Sequence, residues 1–158
     1  MIGNDIVDLE LAKRQSNWKR KGYLDKIFTK NEQLLILNSE NSDQMVWNLW
    51  SRKEAAYKIY NRISGIRTYN PVQFECLDLG QSIGTLKFQD VFYYTKTEIN
   101  SYFLHTISVL NLNDFERISY QNRNTEIIKM NGIPFLKNDS NPVSISNHGR
   151  FEKIVCLL

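Results

Sequence analysis

The 158-residue sequence has no long apolar run, and it contains little proline, glycine or cysteine. No stretch approaches the roughly 18 consecutive apolar residues of a membrane-spanning helix, and the first residues lack the basic and then apolar layout of a secretory signal. We therefore expect a cytoplasmic protein without a membrane segment. Because the chain also lacks repeats, low-complexity tracts and an obvious linker, we expect a single domain over residues 1–158.

The two cysteines are too isolated to form a disulfide or a metal site. Cys76 and Cys156 lie in separate apolar segments, with neither close spacing nor neighbouring histidines. Isolated cysteines of this kind are usually small buried hydrophobic residues. The sequence thus predicts two free, buried thiols.

The net charge is only +3, but the basic residues are unevenly distributed. Those between positions 13 and 26 form what we call the basic cluster: Lys13, Arg14, Lys19, Arg20, Lys21 and Lys26. Such a cluster can be a solvated face, a nucleic-acid footprint or a docking surface for an acidic protein. Trp18 and Tyr23 lie inside it, as base stacking would require, so a non-catalytic nucleic-acid-binding module is one alternative.

The residue patterns change from helical to extended near Gly65. Residues 2–7 form a short apolar segment that ends at Asp8, a plausible helix cap, and Thr29 with Glu32 fits a capping box. The later segments are rich in β-branched and aromatic residues and are separated by turn residues. They span 71–79, 82–88, 91–97, 102–110, 143–146 and 151–158, with an Asn131-Gly132 turn. This order predicts an α+β fold with a mainly antiparallel sheet.

The most informative segment is a predicted helix over about residues 42–61. Its apolar residues recur at three- and four-residue spacing and so share one face. Ser51, Glu54 and Lys58 lie together on the opposite face. Lys53 points into the apolar stripe, where a lysine must either reach solvent or meet an anion.

Three short motifs have residues that could carry chemistry. Asp5 interrupts an apolar strand, where a carboxylate is either at the surface or bound to a cation. Glu54 and Lys58 have the i, i+4 spacing of an ordinary surface ion pair, but on one helix face they could also hold Mg²⁺ and a phosphate. The segment 144–149 contains hydroxyls, an amide, an imidazole and a glycine, which suit phosphate binding but also occur in plain turns.

Together and in this order, the three motifs resemble the 4'-phosphopantetheinyl transferases. They read Gly3-Asn4-Asp5-Ile6-Val7, Trp50-Ser51-Arg52-Lys53-Glu54-Ala55-Ala56-Tyr57-Lys58 and Ser144-Ile145-Ser146-Asn147-His148. Their order is most similar to that of the short members, the holo-acyl-carrier-protein synthases. The stretch from Phe28 to Glu32 also resembles the family's helix start between the first two motifs. The resemblance implies that family's fold, with coenzyme A as co-substrate and Mg²⁺ as cofactor.

The resemblance also implies roles for individual residues. Asp5 and Glu54 would be the Mg²⁺ carboxylates, and Lys58, with Lys53 as a second candidate, would hold the coenzyme A phosphates. Ser146, Asn147 and His148 would contact the phosphate and nucleotide end.

Two departures from the family pattern bear on these roles. Asn147 stands where the family has its histidine, and Val7 stands where longer members have a second acidic residue. Either His148 takes over the contact or Asn147 makes it. We favour Asn147, because strand alternation places Ser146 and His148 on one side and Asn147 on the other.

The implied reaction is attack of a carrier-protein serine on the β-phosphate of coenzyme A, with release of 3',5'-ADP. Catalysis would rest on Mg²⁺ and on Lys58, and Glu54 would accept the serine proton directly or through a water on the metal. Acidic acyl or peptidyl carrier proteins would dock on Lys13, Arg14, Lys19, Arg20 and Lys21, and fatty-acid synthesis is one pathway so served.

The family's short members also imply a homotrimer with the site between subunits. A degenerate coenzyme A binder without transferase activity is a second alternative. The nucleic-acid alternative leaves Asp5 and Glu54 unexplained, so we do not favour it.

Overall fold

A computed structural model describes residues 1–137 and 141–158. Its α-helices are α1 (Leu9–Gln15), α2 (Tyr23–Ile27), α3 (Lys30–Asn38) and α4 (Ser42–Ser64), and 3-10 helices cover Pro71–Gln73 and Leu112–Arg117. The strands are β1 (Ile2–Asp8), β2 (Glu75–Asp78), β3 (Gly84–Phe88), β4 (Val91–Ile99), β5 (Phe103–Val109), β6 (Ile118–Gln121), β7 (Ile127–Met130), β8 (Ile133–Leu136), β9 (Val143–His148) and β10 (Phe151–Leu157). No helix within the described ranges has the length and apolar character needed to cross a membrane.

The strands form two sheets and a separate hairpin. The larger sheet has the order β1-β5-β4-β3-β2, and the smaller has the order β6-β10-β9. Every pairing in both sheets and in the β7–β8 hairpin is antiparallel. These pairings confirm the predicted α+β fold with a mainly antiparallel sheet.

Local capping residues start the helices where the sequence predicts. The Asp8 side chain accepts hydrogen bonds from the first turn of α1, and Thr29 with Glu32 forms a complete capping box on α3. Helix α4 begins at Ser42 as predicted but continues to Ser64, about one turn beyond the predicted end. It stops there because Gly65, with a φ of 71°, adopts the left-handed conformation that ends helices.

Helix α4 packs on the larger sheet and is buried around most of its circumference. Leu49, Ala56 and Ile59 lie in the core with Phe74 and Leu86. Gly3 permits the close approach of β1, because a Cβ at this position would collide with the Ala55 carbonyl oxygen. Cys76 and Cys156 are both buried, as predicted.

A seam of side-chain hydrogen bonds joins β1 of the larger sheet to β9 of the smaller one. Backbone N–H groups of alternate β1 residues donate to alternate β9 side chains: Asn4 to Ser144 Oγ (2.9 Å), Ile6 to Ser146 Oγ (3.0 Å) and Asp8 to His148 Nδ1 (2.9 Å). The offset is 140 residues in each case, so the two strands run parallel. The seam therefore brings the two ends of the sequence together within one chain.

Two basic residues of α4 also join β1 to β9, by donating to backbone carbonyls of both strands. Lys58 Nζ donates to the carbonyls of Asn4 (2.6 Å) and Ile145 (3.4 Å). Arg62 donates to the carbonyls of Ile2 (2.8 Å) and Val143 (2.7 Å). Each cation thus satisfies one carbonyl from each strand, so α4 is fixed across the junction of the two sheets.

Candidate active site

Asp5 and Glu54 face each other at the centre of this junction. Asp5 lies in the middle of β1, and its side chain is only 14% exposed. Ser146 Oγ donates to Asp5 Oδ1 over 3.1 Å, and Lys58 Nζ lies 3.8 Å from the same oxygen. The structure therefore unites residues from all three sequence motifs in one place.

The electrostatics of the two carboxylates are unfavourable without a cation. Burial raises the pKa of Asp5, an effect that Lys58 and the Ser146 hydrogen bond oppose. Burial, together with the neighbouring charge of Asp5, raises the pKa of Glu54 to about 7, although Lys58 opposes the shift. Two partly buried carboxylates that disfavour each other's ionised form are a common feature of functional sites.

The donor set of this site fits Mg²⁺. Magnesium prefers carboxylate oxygens and usually keeps several waters while it binds one or two protein carboxylates and substrate phosphates. Within residues 1–137 and 141–158, Asp5 and Glu54 are not joined by a third His, Cys, Asp or Glu in a metal-binding group. Asp5 and Glu54 would therefore hold the cation, and water and phosphate oxygens would complete its coordination.

Lys58 lies beside Asp5 and donates to backbone carbonyls of the seam. It does not form the exposed i, i+4 ion pair with Glu54 that its spacing also allowed. Its side chain is 26% exposed, and burial lowers its pKa while Asp5 and Glu54 oppose that shift. The residue also lines a cleft of about 560 Å³. Lys58 can therefore reach an anion in that cleft without leaving the neighbourhood of Asp5.

This cleft, which we call the basic cleft, is bordered by α4 and the β7–β8 hairpin. Its cationic lining residues are Lys58, Arg62, Arg67 and Lys129. The hairpin turn uses Asn131 and Gly132, both with positive φ (52° and 81°), which confirms the predicted turn. Arg62, Arg67 and Lys129 were not predicted from the sequence as site residues. Arg62 follows Lys58 by one helical turn, and this spacing could have indicated that both lie on the same face of α4.

A smaller cavity of about 220 Å³ is lined by Asp5 and shares no lining residue with the basic cleft. Its lining includes Tyr23, Trp47, Trp50, Asn147 and His148. Along α4 the two tryptophans precede Glu54, whereas the basic-cleft residues follow it, so the carboxylates lie between the two cavities. We refer to the smaller one as the aromatic cavity.

The segment 146–148 has the predicted alternation but a different role from the one expected. Ser146 and His148 point toward β1, whereas Asn147 is exposed. Ser146 is 6% exposed and its hydroxyl is engaged by both Ile6 and Asp5, so the structure gives no support to the predicted contact of Ser146 with coenzyme A. Asn147 and His148 line the aromatic cavity and not the basic cleft, so the structure does not place them at the most cationic part of the site.

Asp8 and Arg150 hold the β9–β10 turn against the start of α1. Arg150 donates to both carboxylate oxygens of Asp8, over 2.8 and 2.9 Å, and this pairing lowers the Asp8 pKa far below its ordinary value. Gly149, with a φ of 55°, lets the turn approach, since a Cβ there would lie 2.5 Å from Asp8 Oδ2. The turn that carries Asn147 and His148 is thereby fixed beside Asp5.

Lys53 requires a correction. Its side chain is fully buried, and its Nζ donates to Glu32 Oε2 (2.8 Å) and to the carbonyls of Pro71 (3.0 Å) and Phe74 (2.6 Å). All three ammonium protons are therefore used inside the protein. The anion that the apolar stripe required is Glu32, and the structure gives no support to the predicted contact of Lys53 with coenzyme A.

The basic cluster lies on the surface near the aromatic cavity. Its lysines and arginines are exposed, and Ser16 lies between them and lines the cavity. Trp18 is only 7% exposed, and its Nε1 donates to Asp43. A buried indole cannot stack on a nucleic-acid base, so the main aromatic support for the nucleic-acid alternative is lost.

Comparison with known proteins places the chain in a family. It matches the model of the 4'-phosphopantetheinyl transferase superfamily over residues 1–110, and it belongs to that superfamily. Its fold is that of the holo-acyl-carrier-protein synthase type, as two solved structures show. No curated protein sequence matches the chain.

The first of these structures is apo-ACPS from Chronobacterium ammoiniagenes, with a TM-score of 0.56 and 15% identity, covering 68% of this chain and 93% of that one. The second is the holo-[acyl-carrier-protein] synthase (AcpS) of Thermotoga maritima, with a TM-score of 0.54 and 14% identity, covering 81% of this chain and 76% of that one. At such identities the likeness concerns the fold. The basic-cleft hairpin and β9 lie beyond the 1–110 match, so their contribution to the site rests on the geometry described above.

Proposed function

We propose that this protein transfers the 4'-phosphopantetheine group of coenzyme A to a serine of an apo carrier protein, with Mg²⁺ as cofactor and 3',5'-ADP as the second product. The observation that carries the proposal is the pairing of Asp5 with Glu54 between a cationic cleft and an aromatic cavity. Membership of the superfamily supports the transferase class. The family resemblance implies the metal, the leaving group and the acceptor, and the donors and charges of the site support them.

The basic cleft suits the nucleotide end of coenzyme A. The four cations that line it would meet the 3'-phosphate and the diphosphate, and charge-assisted contacts to phosphate are among the stronger hydrogen bonds in proteins. Lys58 lies nearest to the carboxylates, 3.8 Å from Asp5, and so would contact the diphosphate next to the metal. The aromatic cavity, which Asp5 also lines, is left for the transferred arm and the attacking serine.

Asp5 and Glu54 would hold Mg²⁺, which when bound would neutralise charge that develops on the diphosphate. Lys58 contributes a second positive charge from the opposite edge of the site. Glu54 is the side chain that we assign as the acceptor of the serine proton. Asn147 and His148 line the cavity where the serine would enter, so we assign them to the transferred arm and not to the nucleotide.

The acceptor protein would dock on the basic cluster. Lys13, Arg14, Lys19, Arg20 and Lys21 are all exposed, and Ser16, which lies between them in the sequence, lines the aromatic cavity. An exposed basic surface there fits an acidic acyl or peptidyl carrier protein. A carrier bound there would present its serine to the cavity beside Asp5. We propose a cytoplasmic setting and a role in fatty-acid or related carrier-dependent synthesis on the same basis.

Intact-mass spectrometry tests the proposal directly. The protein is incubated with coenzyme A, Mg²⁺ and a panel of apo acyl and peptidyl carrier proteins, and we expect at least one carrier to gain the mass of one phosphopantetheine group. Asp5→Asn and removal of Mg²⁺ by EDTA should both prevent the gain. If coenzyme A binds, as seen by calorimetry, but no carrier is modified, the degenerate coenzyme A-binding alternative is correct.

We also propose a homotrimer, to be tested by light scattering at several protein concentrations. The distance in sequence between Asp5 and the segment 144–148 does not require a second subunit, because the seam brings them together within one chain. A monomer with full activity would contradict the trimer but not the transferase assignment.

A further inference from the structure

Ser146 has an unusual position among the residues around Asp5. Its hydroxyl is buried between two strands and one carboxylate, accepting from Ile6 N–H (3.0 Å) and donating to Asp5 Oδ1 (3.1 Å). The oxygen of the hydroxyl accepts the Ile6 N–H, so the hydroxyl proton has to point away from that N–H. The backbone of β1 thereby sets the direction in which Ser146 donates to Asp5. The hydrogen bond therefore links the orientation of a carboxylate to the seam between the two sheets.

Asp5 is held asymmetrically. Both Ser146 Oγ and Lys58 Nζ approach the same oxygen, Oδ1, over 3.1 and 3.8 Å. A carboxylate with one oxygen fixed in this way loses rotation about χ2, so its second oxygen keeps a constant direction. Preorganised ligands bind metal more tightly because they do not lose this freedom on binding.

Ser144 provides an internal comparison. It lies two residues earlier on β9, on the same face, and its hydroxyl accepts from Asn4 N–H over 2.9 Å. Ser144 and Ser146 thus make equivalent seam contacts, and both are buried (0% and 6% exposed). They differ in the neighbouring side chain, since only Ser146 donates to Asp5.

We propose that Ser146 is a positioning residue that orients Asp5 for the metal ion, and that it is not a ligand of coenzyme A. The inference rests on the proposed function, because it assigns a metal to Asp5. It adds a role for a serine outside the 1–110 family match.

The matched variants are Ser146→Ala and Ser144→Ala. Each loses one seam hydrogen bond, so both should lower the Tm to a similar, small extent. Mn²⁺ affinity, measured by paramagnetic resonance or calorimetry, should fall about tenfold in Ser146→Ala, as expected for a hydrogen bond to a charged group, and stay within about twofold of wild type in Ser144→Ala. Equal metal affinities in the two variants would overturn the proposal.

Coenzyme A binding separates positioning from direct contact. In metal-free buffer, Ser146→Ala should bind coenzyme A as wild type does, whereas a lost ligand would raise the dissociation constant. Ser146→Thr keeps the hydroxyl and should restore Mn²⁺ affinity. In an Asp5→Asn background, Ser146→Ala should have no further effect on Mn²⁺, and a further loss there would contradict the coupling.

One measurement does not depend on the proposed function. Crystal structures of the metal-free variants should show Asp5 turned from its wild-type orientation in Ser146→Ala and unchanged in Ser144→Ala. If wild type binds no Mn²⁺ at all, the metal assignment fails, and these structures then decide whether Ser146 orients Asp5. An unchanged Asp5 in Ser146→Ala would refute the inference even if the transferase assignment holds.

Discussion

Two lysine–carboxylate clusters on the same helix have opposite characters. Lys53 pairs with Glu32 in a closed cluster whose side chains are both 0% exposed. Lys58 lies beside Asp5 and Glu54 in an open cluster, where Lys58 and Asp5 are 26% and 14% exposed. Both lysines belong to one short motif but lie on different faces of α4. The comparison therefore shows how the surroundings of each face decide the role of a lysine.

The closed cluster satisfies its polar groups internally. Besides the lysine, Glu32 accepts the backbone N–H groups of Thr29 (2.8 Å) and Cys76 (2.8 Å). The pair thereby ties α3 and α4 to the chain around β2. A buried ion pair with so complete a hydrogen-bond shell has a structural role.

The open cluster remains electrostatically incomplete. Burial and the charge of Asp5 raise the pKa of Glu54 to about 7, although Lys58 is close. Lys58 donates its hydrogen bonds to backbone carbonyls, and its Nζ lies 3.8 Å from Asp5 Oδ1. Groups arranged in this way gain most from a cation and an anion that arrive with substrate, which is why we assign function to this cluster and not to the other.

The largest expected effect is the loss of transfer when the open cluster is changed. Asp5→Asn and Glu54→Gln should each lower kcat/KM at least about 1,000-fold, because a metal site with one carboxylate left loses several kcal/mol of transition-state stabilisation. Stability in urea should be unchanged or higher, since each change removes one of two carboxylates that disfavour each other. Activity above a few per cent of wild type in either variant would refute the assignment.

The closed cluster should show the reverse behaviour. Lys53→Ala leaves Glu32 buried without its cation and should lower the free energy of unfolding by about 3–5 kcal/mol. Urea unfolding followed by fluorescence measures this loss, and Glu54→Gln is the matched control on the neighbouring position. A stable Lys53→Ala protein with weakened coenzyme A binding would restore the sequence-based role of Lys53.

Alanine substitutions of Lys58 and Lys129 compare the coenzyme A contact of a lysine in the open cluster with that of a lysine on the surface. Lys58→Ala should weaken coenzyme A binding by about 1.5–3 kcal/mol, the range for hydrogen bonds to charged groups. Lys129, exposed on the hairpin across the basic cleft, should contribute about 0.2–1 kcal/mol. Calorimetric titration with coenzyme A measures both. Unchanged affinity in Lys58→Ala would limit that residue to the seam.

A further expected effect concerns acid stability behind the open cluster. His105 is 2% exposed and approaches Asn4 on β1, its Nε2 lying 3.2 Å from the Asn4 amide nitrogen. Burial, with Lys153 and Lys58 nearby, lowers its pKa to about 4. Since the unfolded value is about 6.5, the unfolded chain binds more protons between these values, and stability falls as pH drops through this window.

His105→Gln tests that contribution. The wild type should lose about 2 kcal/mol of stability from this group between pH 7 and pH 5, and the variant should lack that part of the pH dependence. Urea unfolding at the two pH values gives the difference. Identical pH dependence in both proteins would show that His105 does not titrate in this way.

Local signals made much of the fold predictable from sequence. Asp8 and the Thr29–Glu32 capping box marked helix starts, and Asn131-Gly132 marked a hairpin turn, because each involves hydrogen bonds or φ values of near neighbours. The long helix was evident from its apolar spacing. The strands β6, β7 and β8 were not predicted, since they are four residues each and partly or largely exposed, and so carry little apolar pattern.

The sequence by itself determined that Asp5, Glu54 and Lys58 occur in motifs suited to metal and phosphate. Only the tertiary structure decided that Lys53 meets Glu32, that Ser146 and His148 serve the seam, and that Lys129 faces the basic cleft. The physical reason is distance along the chain. Hydrogen-bond and charge partners 21 to 140 residues apart are chosen by how the sheets and α4 pack, and no local pattern encodes that choice.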